Sequence, residues 1–206
     1  MRKGVANDPL RKEKIAQAAL DLLDEDGMRG TTHRTIAQRA GVPLGSVTYH
    51  YASLDDILVA AFELMGEQMD PRYGQPIRAA SSQAEACEVL VDAICGERRA
   101  TDREMRLHRE LYALASRNSR LHALVRSFEE RAIAALTTQF PEPAARALDA
   151  LVEGWWIYQS WNPGRPAAAD VRRSVRGLVD AFEVGDPDHH PSRDRTTNKV
   201  RLSNPS

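Results

Sequence analysis

At 206 residues, 42% of them hydrophobic, the chain is long enough to bury a sizeable core, and its net charge of −1 does not favour nonspecific nucleic-acid binding by the whole molecule. No apolar run reaches the roughly 18 residues of a membrane span, and the opening MRKGVANDP lacks the apolar centre of a signal peptide, so no membrane partner and a cytoplasmic location are expected. Alanine, leucine, glutamate and arginine are too frequent, and β-branched runs too sparse, for a sheet protein; the fold class expected is all-α.

The two cysteines agree with a reducing compartment. Cys87 and Cys95 fall on one predicted helix, roughly 12 Å apart along its axis, too far for a disulfide; both read as buried thiols. Charge is uneven along the chain. Up to position 51, Arg2, Lys3, Arg11, Lys12, Lys14, Arg29, Arg34 and Arg39 outnumber Asp8, Glu13, Asp21, Asp24, Glu25 and Asp26, a modest positive lean. Binding to DNA must then rest on geometry and a few phosphate contacts.

Residues 1–7 read as a basic arm, with a frayed terminus the commoner explanation. Asp8-Pro9 caps and opens a helix in which Ile15, Ala19, Leu22 and Leu23 recur at helical spacing until Gly27. Arg11, Lys12 and Lys14 near its start suit either the DNA backbone or a solvated face. Thr32 caps a short helix over 33–40 that buries Ile36, Ala37 and Ala40. Gly41 ends it in the left-handed conformation, and Pro43 opens a second short helix over 44–50 with Val47 inward. Ser46, Thr48, Tyr49 and His50 remain for solvent. Two short helices across a tight turn make a helix-turn-helix, whose second helix enters a major groove.

The run Thr31-Thr32, Ile36-Ala37, Ala40-Gly41-Val42, Gly45-Ser46, Tyr49-His50-Tyr51, Ser53 and Ile57 resembles the DNA-binding domain of the tetracycline-repressor (TetR) family of bacterial transcription regulators. The resemblance implies an N-terminal three-helix helix-turn-helix domain and a C-terminal helical domain for ligand binding and dimerisation. Leucines stand at 44 and 54 where the family often places phosphate-binding lysines, so the resemblance speaks more firmly for the fold than for tight operator binding.

Ser53 and Asp56 form a capping box that opens a helix to about residue 69, with Leu58, Ala61, Phe62 and Met65 buried. Asp70-Pro71, Gly74 and Pro76 read as a loop and a boundary, giving a head over 9–69, a larger domain over 70–185, and a disordered tail over 186–206. Ser82 to Glu85 and Thr101 to Glu104 are two further capping boxes, and another helix starts near Ser119, for about nine helices in all. Between 144 and 161, Leu148, Leu151, Val152 and Trp155 point one way; Ala150, Gly154, Ile157, Tyr158 and Trp161 point the other, with a polar wedge at Asp149, Glu153 and Ser160. A helix apolar on two sides needs cover on both, which implies a partner subunit. The last helix adds Val171, Val175, Leu178 and Phe182, and the resemblance implies that these two helices pair with their copies as a homodimer.

For DNA the candidates are Thr32, His33, Arg34, Leu44, Gly45, Ser46, Thr48, Tyr49 and His50: Thr32 for phosphate, Arg34 and His50 for phosphate or a base edge, Thr48 or Leu44 for a thymine methyl. Tyr51 reads as a packing residue, and Tyr49 as either. Family resemblance puts Met105, His108, Tyr112, Phe128, Trp155, Trp156 and Gln159 around an effector pocket; plain core is the competing reading for each aromatic. Trp156 is the exception, since it lies beside the polar wedge. His108 and His122 read as ordinary, partly exposed histidines, and His189-His190 is weak evidence for a metal. No nucleophile with a positioned base, phosphate loop, metal cluster or cofactor motif appears, so neither an enzyme nor a cofactor is expected. The expected function is a ligand-responsive regulator, a repressor by preference, binding a double-stranded palindromic operator as a homodimer and responding to a small-molecule effector. The alternative is a small-molecule binding or interaction protein with a degenerate DNA head.

Overall fold

The computed structural model describes residues 10–162 and 164–183; the Asp8-Pro9 cap, the basic arm, the tail and His189-His190 lie outside the described residues. Among the described residues there are ten helices and no strand: α1 Leu10–Gly30, α2 His33–Arg39, α3 Leu44–His50, α4 Leu54–Met69, α5 Gly74–Ala79, α6 Gln83–Cys95, α7 Asp102–Ala115, α8 Ser119–Leu136, α9 Glu142–Gln159 and α10 Ala168–Glu183. No described helix is long and apolar enough to cross a membrane.

Local chemistry accounts for most boundaries. The side chains of Ser53 and Asp56, and of Thr101 and Glu104, close reciprocal capping boxes at the starts of α4 and α7. The box expected at Ser82 closes on one side only. Ser82 accepts the Glu85 N–H, but the Glu85 carboxylate reaches the backbone N–H and hydroxyl of Ser81. Gly27 breaks α1 with φ 64°, as expected, although one more turn continues to Gly30. The expected loop after Asp70 instead contains α5. Pro76 sits in that helix's first turn, where its missing N–H costs nothing, and Ile77 is buried; burial outweighs the glycine and proline.

Two apolar cores share the molecule. The first joins α1 to α4, with Ile15, Ile36, Val47, Ile57 and Phe62 wholly buried, and draws in Leu107, Leu111, Leu121 and Leu124 from α7 and α8. The second lies between α5, α6, α9 and α10 and the far ends of α7 and α8, around Ile94, Leu148, Val171 and Val175. Since α7 and α8 feed both cores, the head is seated on the body rather than tethered to it. Ion pairs line the same seam: Arg106 Nε to Asp24 at 2.7 Å, Arg120 to Asp56 at 2.6 Å, and Arg103 to Asp21. The Phe128 ring packs on α4 at Gly66, where an added Cβ would come within 2.8 Å of it.

Candidate nucleic-acid interface and ligand site

The helix-turn-helix is assembled by short-range hydrogen bonds. Thr32 accepts the Thr35 N–H, and Thr35 Oγ1 accepts the Thr32 N–H in return. At the other end of α2, Gly41 takes φ 65°, which lets the Val42 N–H reach Ala37 O at 3.0 Å and the Gly41 N–H reach Gln38 O at 3.2 Å. The chain then turns through Pro43 into α3, which is anchored inward by Val47 with no exposure. Tyr51 is buried behind it and donates its phenol to Lys12 O at 3.1 Å, a packing role that ties α3 to α1.

What faces outward is specific. Leu44 is 48% exposed and Tyr49 79% exposed, with Gly45 and Thr48 exposed between them. Ser46 and His50 are half-buried, and the His50 ring stands edge-on to Tyr49 at 5.1 Å. Thr32 and Arg34 are exposed on α2 and His33 is half-buried. Arg39 is committed elsewhere: its guanidinium holds Glu25 with both nitrogens, at 3.0 and 2.6 Å, and keeps that carboxyl below its usual range. Leu54, expected as a missing phosphate contact, packs half-buried against the first core.

Between α7 and α9, His108, Tyr112 and Glu153 come together. The His108 ring lies 4.8 Å from Tyr112 and 5.8 Å from Trp156, both edge-on. The Tyr112 phenol donates to Glu153 Oε2 at 3.0 Å, and His108 Nδ1 lies 3.6 Å from the same oxygen. His108 is buried rather than partly exposed, and burial pushes its pKa down to about 4. It is therefore neutral at physiological pH, and its approach to Glu153 is a polar contact rather than an ion pair. Burial pushes Glu153 up to about 7; Asp149, one turn earlier, reaches about 7 through burial and then through the charges of Glu153 and Glu129.

Trp156 and Gln159 are tied to backbone. The Trp156 indole donates to Ala93 O at 3.2 Å, so its burial beside the polar wedge is satisfied without a pocket. Gln159 donates to Ile94 O and Trp155 O and accepts from Arg99. Met105 is buried in the second core. Phe128 does not join this group; it belongs to the seam with α4. A groove of about 490 Å3 runs between α6 and α10 beside Glu88, Asp92, Cys95 and Arg172, and none of the expected ligand residues lines it.

Residues 15–61 match the family described as bacterial regulatory proteins, tetR family. The transcriptional regulator BetI of Stenotrophomonas maltophilia is 28% identical over 188 residues, which is 87% of this chain and 95% of the relative. A TetR-family protein of Streptomyces coelicolor is 30% identical with a TM-score of 0.67, covering 82% of this chain and 98% of that one. This chain belongs to the TetR family. A third relative, EbrR, a multidrug binding protein solved with imidazole, is 31% identical with a TM-score of 0.66 over 84% of this chain and 96% of its own.

This TetR-family protein is accordingly a DNA-binding transcription regulator with α2 and α3 as its helix-turn-helix. On the rest of the expected partner face, Ala150, Gly154, Tyr158, Trp161 and Phe182 are exposed, while Ile157 and Leu178 are half-buried. Trp161 lies past the end of α9, which closes at Gln159. Val171 and Val175 leave the set: both are wholly buried against the second core and present no surface to a partner. Sequence reasoning missed Gly177, exposed inside α10. A glycine inside a strongly amphipathic helix was the signal that could have found it. Glu153 and Asp149 were read only as part of a polar wedge; two acids one turn apart between apolar stripes were the clue there.

Proposed function

We propose that this TetR-family protein is a homodimeric, ligand-responsive repressor of a roughly palindromic operator, with a head over 9–69 and an effector-binding and dimerising body over 70–185. The observation that carries the reading is α3, held inward by Val47 alone and presenting Leu44, Gly45, Thr48 and Tyr49 to solvent. Thr32 and Arg34 on α2 serve the phosphates that fix its register. Two heads related by a twofold axis meet successive major-groove faces of one duplex.

The dimer is supported by the uncovered residues Ala150 and Gly154, small, and Tyr158, Trp161 and Phe182, aromatic. The effector reading is supported by the likeness to EbrR, which has also been solved with proflavin, malachite green and ethidium. Here the ligand is held by His108 and Tyr112, with Glu153 at their edge. Its effect on DNA reaches no further than its differential affinity for the two head spacings. Phe128 against Gly66 is the contact through which α8 moves α4.

The test is binding of the full chain to its own upstream intergenic DNA at two salt concentrations. A specific, salt-steep complex is expected. No complex at low salt would leave the small-molecule binding protein with a degenerate head as the better account.

A further inference from the structure

The major groove offers guanine two acceptors, adenine an acceptor and a donor, and thymine a methyl group. Arginine or lysine reads the first, asparagine or glutamine the second, and an apolar side chain the third. The seven residues of α3, LGSVTYH, include none of those four polar readers. At about 100° per residue, Leu44, Thr48, Gly45 and Tyr49 occupy one continuous outward arc of about 140°, opposite buried Val47. The hydroxyl of Thr48 lies 3.3 Å from Gly45 O and 3.5 Å from Leu44 O, and its γ-methyl shares the exposed face with Leu44. His50 is half-buried against the Tyr49 ring and acts as its prop. The nearby cations do not supply a reader either: Arg39 is held by Glu25, and Arg34 stands on the helix that crosses the backbone.

We infer that α3 reads thymine methyl groups in the major groove, with exposed Leu44 as the specificity-determining contact and Tyr49 beside it. This rests on the DNA-binding reading above. The half-sites it selects carry thymine at the positions facing Leu44.

The experiment selects duplexes from a random pool with the full-length protein, then replaces each half-site thymine by deoxyuridine, which removes the methyl and keeps the pairing and minor groove. Loss of one buried methyl is worth about fourfold in affinity, and one in each half-site about fifteenfold. Wild-type protein is expected to show that loss at one or two thymines per half-site. Leu44→Ala, a change at an exposed position that leaves the core intact, is expected to lose the deoxyuridine sensitivity at the thymine facing residue 44. Sequence-specific binding that deoxyuridine leaves within twofold everywhere, or a Leu44→Ala protein that keeps the full methyl sensitivity, would overturn the inference while leaving the DNA-binding reading standing. Enrichment of no sequence at all would sink both.

Discussion

Gly154 and Gly177 provide the sharpest test of the dimer. Each lies inside a helix, on α9 and α10, and a Cβ built at either meets nothing within 4 Å. Neither carries a positive φ, so neither is there for its backbone freedom. A helix-interior glycine costs about 1 kcal/mol relative to alanine. Gly154→Ala with Gly177→Ala should therefore stabilise an isolated subunit by about 2 kcal/mol, or about 4–8 °C in Tm for a chain of this size. The dimer should respond in the opposite direction. If helices of a second copy lie on these glycines, a twofold interface gains four methyls, and overpacking at about 1 kcal/mol for each weakens association about a thousandfold. Sedimentation equilibrium gives the dissociation constant, and thermal melts over a dilution series give the subunit's own stability. Higher Tm in the dilute limit together with unchanged association would show that no partner helix sits there. A lower Tm in the dilute limit would show that the helix-propensity argument itself is mistaken.

Three other outcomes are expected. Gly45 is likewise exposed within a helix with nothing within 4 Å, so Gly45→Ala should raise Tm by a few degrees while weakening operator binding about tenfold, measured by anisotropy; equal or tighter binding would show that the duplex does not approach α3 closely there. Gly66→Ala should cost about 1 kcal/mol or more, because its Cβ meets the Phe128 ring at 2.8 Å, and pairing it with Phe128→Leu should recover most of that in a denaturant cycle; purely additive losses would remove the seam contact from the argument. Glu153 has a folded pKa near 7 against 4.5, so its protonated form stabilises the fold fully below about pH 4.5, and that contribution is lost as pH rises through 7. His108, pushed down to about 4, works the other way between pH 6.5 and 4, so wild type alone is ambiguous. Glu153→Gln isolates the acid: its stability advantage over wild type in denaturant melts should grow from pH 5 to pH 8, by less than about 3 kcal/mol because the side chain keeps 29% of its surface. A pH-independent difference would mean that Glu153 is not desolvated.

The helix-turn-helix was legible because its geometry is written in neighbours. Thr32 with Thr35, Gly41 in the left-handed conformation, and Pro43 at the turn each act within a few residues, and the resulting motif is specific. The candidate ligand site was only half legible. The sequence singled out His108 and Tyr112, but it could not show that Trp156 spends its N–H on Ala93 O or that Phe128 turns toward α4. Nor could it show Glu153 beneath Tyr112, since that contact spans 41 positions of chain and depends on how α7 crosses α9.

Most caps and turns follow from interactions one helical turn long, and the order of residues alone determined them at Thr32, Gly41, Ser53 and Thr101. Which neighbour covers a given face is decided by packing between distant segments. Periodicity gave Val171, Val175 and Phe182 the same apolar standing on α10, yet the first two fill the subunit's own core and the third stays open. The same holds for α5, where the burial of Ile77 overrode a glycine and a proline that locally spell a loop. Tertiary structure settled these points because hydrophobic burial has no direction of its own: it depends on the surface removed from water, and only the assembled helices say which surface that is.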